Sequence, residues 1–286
     1  MAQRGMVAPP GPGQADTQAD GVRWRSRENP GRGEPVVFVH GLLASSATWE
    51  DVLASASAGR PAIAVDLPGF GGSERPWPYD YSVGGEARSL VAFLDARGIG
   101  RAVLVGNSLG GATAMLVAAD HPARVEALVL VSSATPEARV GLPVHLMRAR
   151  VLGEVALAAA TRPLVAHGLR RWLFANAARV TNRVIDDAWR PLTIPGTRRA
   201  ALAAVRSDRR RYLGLEARVR VPTLIVWGRQ DRLIPVAEAA KLQSRIAGSR
   251  LIVLDDAGHL PQREQPDAFS NAVAGFVTGL TARSAR

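Results

Sequence analysis

The stretch Arg101-Ala102-Val103-Leu104-Val105-Gly106-Asn107-Ser108-Leu109-Gly110-Gly111 decides how this chain is read. Residues 101–105 form an apolar run without polar alternation, the pattern of a strand covered on both faces. From Leu109 the composition turns helical and stays so until His121-Pro122 closes it. Between strand and helix stands Gly-x-Ser-x-Gly. The motif alone is common, but in a strand–turn–helix context it has a mechanical meaning. A sharp turn holds the serine in a strained backbone conformation with its hydroxyl projecting, and the flanking glycines allow close backbone approach. The following helix N-terminus aims N–H groups and positive partial charge at the same place. Ser108 is therefore the candidate nucleophile.

The same rhythm extends outward in both directions. Val36–Val39, 61–65 and 127–131 read as apolar strands, and 47–57 and 82–97 read as helices, the latter stopped by Gly98. Further on, 222–227 and Arg250–Leu254 are strands, with helices at 236–246 and 266–280. Strands alternating with helices predict an α/β fold with a mostly parallel sheet flanked by helices. The rhythm breaks between 137 and 220, which is helical in composition and has no convincing strand. That reads as an inserted helical cap within a core of 22–136 and 221–286. Residues 1–21, rich in Gly, Pro and Gln, read as a disordered tail.

A serine hydroxyl needs a base. Of five histidines, His40 follows the first core strand and reads as a structural turn residue, His121 ends a helix, and His145 and His167 lie in the cap. His259 sits in Asp255-Asp256-Ala257-Gly258-His259-Leu260-Pro261, directly after a strand, where loops of such folds converge on the ligand edge. It is the candidate base. Asp231, in Trp227-Gly228-Arg229-Gln230-Asp231, follows the preceding strand and is the candidate orienting carboxylate; Asp255 and Asp256 compete with it, and Glu238 falls within the next helix. The order Ser108, Asp231, His259 matches one of the three known triad orders. For an oxyanion, the N–H of Leu109 is one expected donor. The second is expected from His40-Gly41-Leu42-Leu43, with Leu42 preferred and Leu43 the competitor.

Composition sets the outer limits. With 286 residues, 47% hydrophobic and 21% charged, the chain is long and apolar enough for a full core. The absence of cysteine excludes disulfides, thiolate metal sites and a cysteine nucleophile. No apolar run approaches the ~18 residues of a membrane span. The N-terminus lacks the apolar stretch of a signal peptide, so a cytoplasmic address is expected. Nucleotide binding fails on spacing, since Gly69-Phe70-Gly71 is followed by Glu74 where a third glycine is needed. No metal-ligand motif occurs, and neither a metal nor a cofactor is expected.

The formal charge is +11, and Lys241 is the single lysine. Residues 137–220 hold 17 arginines against six acidic residues, while the rest of the chain is balanced. No aromatic-interleaved basic motif accompanies this excess, so no nucleic-acid partner is expected. One reading is a solvated cap face. The other is attraction of an anionic substrate or peripheral contact with an anionic membrane. In that second reading Trp172 and Trp189 line the substrate entrance, with Arg170 or Arg171 at its rim.

His40-Gly41, Asp66-Leu67-Pro68-Gly69-Phe70-Gly71-Gly72-Ser73, Gly106-Asn107-Ser108-Leu109-Gly110-Gly111, Trp227-Gly228-Arg229-Gln230-Asp231 and Gly258-His259 together resemble the α/β-hydrolase superfamily over about residues 22–280. The resemblance implies a cap at 137–220, a structural role for Asp66 and a sheet truncated at its N-terminal edge. It also implies a capped serine hydrolase acting on a small-molecule carboxylic ester. Carbon–carbon bond (meta-cleavage-product) hydrolysis, lactone hydrolysis and a non-catalytic ligand-binding role remain alternatives. Leu42-Leu43-Ala44-Ser45-Ser46 departs from the glycine- and proline-rich loop usual in the carbon–carbon hydrolases.

Overall fold

A computed structural model describes residue 11 and residues 13–284. The strands are β1 (Gln14–Ala19), β2 (Val22–Asn29), β3 (Val36–Val39), β4 (Ala62–Asp66), β5 (Ala102–Asn107), β6 (Val125–Val131), β7 (Thr223–Gly228) and β8 (Arg250–Leu254). They form one sheet in the order β1-β2-β4-β3-β5-β6-β7-β8. β1 and β2, and β2 and β4, pair antiparallel; every later pairing is parallel. The chain runs from β3 out to β4, then returns across β3 to start β5. The strand order therefore reverses between β3 and β5, and the crevice at their carboxyl ends is where such sheets take ligands. Registers such as Val39 with Gly106, Asn107 with Val131, and Gly228 with Leu254 bring the strand ends to one edge.

Alternating side chains divide the core in two. Val37 and Val39 point to the face covered by α1 (Val83–Ala96) and α2 (Leu109–Asp120), where Trp24 stacks on Phe93. Val36 and Phe38 point to the other face, with Trp49 set between Phe38 and Phe269. Helix α1 begins at Ser82, whose hydroxyl accepts the Gly85 N–H, and is followed by Gly98 at φ +63°. Two expectations need correction here. Residues 47–57 form 3₁₀ turns (Ser46–Trp49 and Ser55–Ser57) rather than one helix. And 14–19, expected in a tail over 1–21, is strand β1, so the N-terminal edge of the sheet is not truncated. An antiparallel edge strand needs only half its residues buried: Thr17 and Ala19 go inward, while Asp16 pairs with Arg25 at 2.5 Å. Residues 1–10 and 12 of that expected tail lie outside the described residues.

Between β6 and β7 the chain forms α3 (Leu142–Arg148), α4 (Leu152–Ala158), α5 (Arg162–Gly168), α6 (Asn182–Thr193) and α7 (Thr197–Arg206). Helices α8 (Ala237–Arg245), α9 (Pro261–Glu264) and α10 (Pro266–Ser284) complete the fold. Among the described residues no helix is long and apolar enough to cross a membrane.

Glu86, in the first turn of α1, is fully buried and neither carboxylate oxygen has a partner. Burial, with Asp80 adding repulsion, raises its pKa well above the carboxylate range. The folded state then holds a proton that the unfolded chain releases, so stability falls as pH rises from the unfolded pKa through the raised folded one. Glu86→Gln, which mimics the neutral acid, is expected to raise Tm at pH 7. The gain should shrink toward pH 4. A thermal-melt series over that range checks both, and an unchanged or lower Tm at pH 7 contradicts the protonated assignment.

Candidate active site

Ser108 stands between β5 and α2 at φ 53°, ψ −115°, a region that a side-chain-bearing residue rarely enters. Backbone hydrogen bonds hold it there. Its N–H donates to Val131 O at 3.0 Å, and its carbonyl accepts from Ala112 (3.1 Å) and Ala134 (3.0 Å). Gly106 and Gly110 are required by contact: a Cβ on Gly106 would run into the Gly110 carbonyl, and one on Gly110 into the carbonyls of Val39 and His40. The turn thus packs directly on the end of β3, and a Cβ added at Gly41 would lie 3.1 Å from Ser108 Cβ.

Asp231 and His259 meet. His259 Nδ1 lies 2.8 Å from Asp231 Oδ2, with the two side chains 3% and 0% exposed. Asp231 Oδ1 accepts N–H bonds from Leu233 (2.8 Å) and Ile234 (2.9 Å), which fixes the carboxylate. Trp227 Nε1 donates to Ile234 O at 3.0 Å and braces the same loop. The competing carboxylates are elsewhere: Asp255 pairs with Arg229 at the surface and Asp256 is exposed, while Glu238 pairs with Lys241. Ser108, His259, Leu42 and Leu109 all line one cavity of about 370 Å³ between the sheet edge and the helices that follow β6. Leu42 and Leu43 form a turn closed by Ala44 N–H to Gly41 O at 3.2 Å, with Leu43 at φ 60°. Leu109 opens α2, where N–H groups have no acceptor within the helix.

His40 is structural, as is Asp66. The buried His40 ring accepts Leu67 N–H at Nε2 (3.0 Å) and reaches Gly41 O from Nδ1 (2.7 Å); burial lowers its pKa. Asp66 accepts Ser46 N–H (2.5 Å) and Gly72 N–H (2.6 Å), tying the loop after β3 to the one after β4.

Three supporting residues escaped sequence reasoning. Asn107 Nδ2 donates to Val131 O (3.1 Å) and His259 O (3.2 Å), joining the serine turn to the histidine loop. Glu264 accepts Gly258 N–H (2.6 Å) on one oxygen and Ala175 N–H (2.7 Å) on the other, and burial raises its pKa. Arg263 donates to Ala47 O (2.6 Å) and Asp187 (2.8 Å). Each joins segments far apart in the chain, which no local motif reports; the one available signal is that Glu264 lies five residues after His259.

The expected substrate contacts Trp172 and Trp189 are corrected. Neither lines the cavity. The turn Leu169–Leu173 directs Leu169 and Leu173 inward and leaves Trp172 beside Gly141 with the Arg171 guanidinium 4.8 Å over its ring. On α6 the inward face is Val184, Asp187, Ala188 and Leu192, a helical spacing that excludes position 189.

Residues 34–266 match the alpha/beta hydrolase fold family. The chain belongs to that family. It is 32% identical over 270 residues to the 2-hydroxymuconate semialdehyde hydrolase of Pseudomonas sp. (strain CF600), covering 91% of this chain and 92% of that one. It is 32% identical over 265 residues to the pimeloyl-[acyl-carrier protein] methyl ester esterase of Neisseria meningitidis serogroup B, covering 90% and 98%. A solved serine hydrolase involved in carbazole degradation superimposes with a TM-score of 0.77 at 29% identity over 93% of this chain and 98% of that one. Hydrolase and esterase names on relatives of this coverage make hydrolysis the class of its reaction.

Since the Ser108 turn touches β3 through Gly110, Gly110→Ala is expected to destabilise the protein by about 1–3 kcal/mol, the usual cost of overpacking. Urea denaturation measures it, and a loss near zero is evidence that the β3 end yields freely.

Proposed function

We propose that this protein is a serine hydrolase that cleaves a carboxylic ester of a small or medium, mostly apolar substrate. The observation that carries the proposal is the buried His259–Asp231 hydrogen bond on the wall of the cavity that also holds Ser108. The helical segment 137–220 acts as a cap, and substrate lies between it and the sheet edge. Ser108 Oγ attacks the ester carbonyl carbon while His259 Nε2 takes the hydroxyl proton. Asp231 holds the imidazole in the tautomer that leaves Nε2 free and stabilises its charged form. The N–H groups of Leu42 and Leu109 receive the oxyanion, helped by the positive end of α2. Collapse of this intermediate breaks the bond to the alcohol oxygen, which takes the proton from His259. Water then attacks the acyl-enzyme, giving its proton to His259, and Ser108 leaves with that proton restored. No cofactor enters the cycle.

A second reading has a specific basis. It is carbon–carbon bond (meta-cleavage-product) hydrolysis on the same three residues, and the similarity to a 2-hydroxymuconate semialdehyde hydrolase is what keeps it beside the ester reading. A panel of esters of varied acyl length, with a meta-cleavage-product dienoate included, separates the two by their kcat/KM.

Ser108→Ala and His259→Ala are each expected to lower ester kcat by about a thousandfold or more, because triad members act as a unit. Asp231→Asn should be comparably severe, and Asp256→Asn mild. Labelling by a fluorophosphonate probe should vanish in Ser108→Ala. Full turnover by a folded Ser108→Ala protein would remove the mechanism, and absence of labelling in the native protein would favour a non-catalytic binder.

A further inference from the structure

The arginine-rich segment is better neutralised than its composition suggests. Each of its six carboxylates has a cationic neighbour. Glu137 meets Arg245, Glu154 meets Arg206, Asp186 meets Arg162, Asp187 meets Arg263, Asp208 meets Arg210, and Glu216 lies 3.8 Å from Arg245. Most remaining arginines of the segment are exposed. Arg148 and Arg209 are different. Both are partly buried and both line the cavity of Ser108. Arg148 Nε is buried without a hydrogen-bond partner, an unmet donor of the kind that folded proteins seldom leave. Burial lowers the pKa of each, and the charge of Arg209 lowers that of Arg148 further, with no carboxylate acting to raise either. Two like charges therefore face a largely apolar cavity, and among the described residues no carboxylate pairs with either. The third arginine on the cavity wall, Arg263, makes the contrast, since Asp187 and Ala47 O occupy it.

We propose that Arg148 and Arg209 form a subsite for an anionic oxygen group, carboxylate or phosphate, at the far end of an otherwise apolar ester. The guanidinium fork suits either group, binding two oxygens at once. An anion there relieves the repulsion between the two arginines and gives Arg148 Nε an acceptor. Tyr212 lines the same cavity; its Oη accepts Gly84 N–H at 3.0 Å, which leaves its own proton for a ligand. Apolar residues such as Val144, Met147 and Leu157 would hold the chain between the two ends. The inference rests on the esterase reading of Ser108 and adds the class of substrate: a molecule with an ester at one end and an anion at the other.

The test uses monomethyl esters of straight-chain α,ω-dicarboxylates, the matching dimethyl esters, and methyl esters ending in phosphate. The readout is the ratio of kcat/KM for the anionic ester to that for the neutral one, so any unfolded fraction of a variant cancels. The native protein should prefer an anionic ester, and whichever anion it prefers identifies the source of the group. Arg148→Gln and Arg209→Gln should each lower the ratio about tenfold or more, mainly through KM, as expected for loss of a hydrogen bond to a charged group. The exposed Arg150→Gln should leave it unchanged. A ratio that neither arginine variant moves would overturn the subsite. If no ester is turned over, the esterase reading fails separately. Calorimetric binding of the free dicarboxylate to Ser108→Ala then decides the subsite. Binding weakened at least tenfold by adding Arg209→Gln supports it, and equal or absent binding refutes it.

Discussion

Ser108 is held at φ 53°, ψ −115°, and much of the surrounding structure serves to keep it there. A side-chain-bearing residue in such a conformation costs roughly 1–3 kcal/mol and persists only when its surroundings leave no alternative. Here the surroundings are the parallel strands. β6 accepts the Ser108 N–H, the segment after it donates to the Ser108 carbonyl, and β3 presses on Gly110. The strand pairing that builds the core therefore also creates the strain. The reversal of strand order between β3 and β5 opens a crevice at that point, and the loops after β7 and β8 carry Asp231 and His259 to the same edge.

The second support is polar and almost entirely buried. Asp231 is fixed by two N–H groups from its own loop, and Asn107 links the serine turn to the histidine loop. The segment after α5 takes part as well. Leu173 O accepts His259 N–H at 2.7 Å, and Glu264 bridges Gly258 and Ala175. The cavity wall and the histidine loop are thus joined through the backbone, so displacement of one strains the other. Bonds of this kind stabilise only modestly when made but cost much more when left unmade. That asymmetry makes them effective at setting position.

Charge follows the same division between local and distant. Along the segment 137–220 arginine greatly outnumbers acid, which alone suggests a broad positive surface. In the folded chain some of that charge is paired with acids outside the segment, as Arg183 is with Glu50 and Arg218 with Asp120. Arg171 and Arg199 instead lie over tryptophan rings. What remains distinctive is the inward-facing pair, Arg148 and Arg209, which line the cavity of Ser108 with no carboxylate acting on either.

The sequence by itself determined the α/β architecture, because double-sided burial writes strands as unbroken apolar runs and glycine marks the turn after β5. It also pointed to Ser108, Asp231 and His259 as residues of one site, since loops that follow parallel strands converge. It could not reveal β1, whose polar residues Gln14, Asp16 and Gln18 read as tail until antiparallel pairing with β2 gives their backbone partners. Nor could it tell which side of a helix faces the cavity: Trp172 and Trp189 looked suited to bind substrate by residue type, yet Leu169, Leu173 and Val184 line the space. Asn107, Glu264, Arg148 and Arg209 were hidden for one reason. Their partners, or the lack of them, depend on segments tens of residues away, and hydrogen bonding and desolvation act through space rather than along the chain.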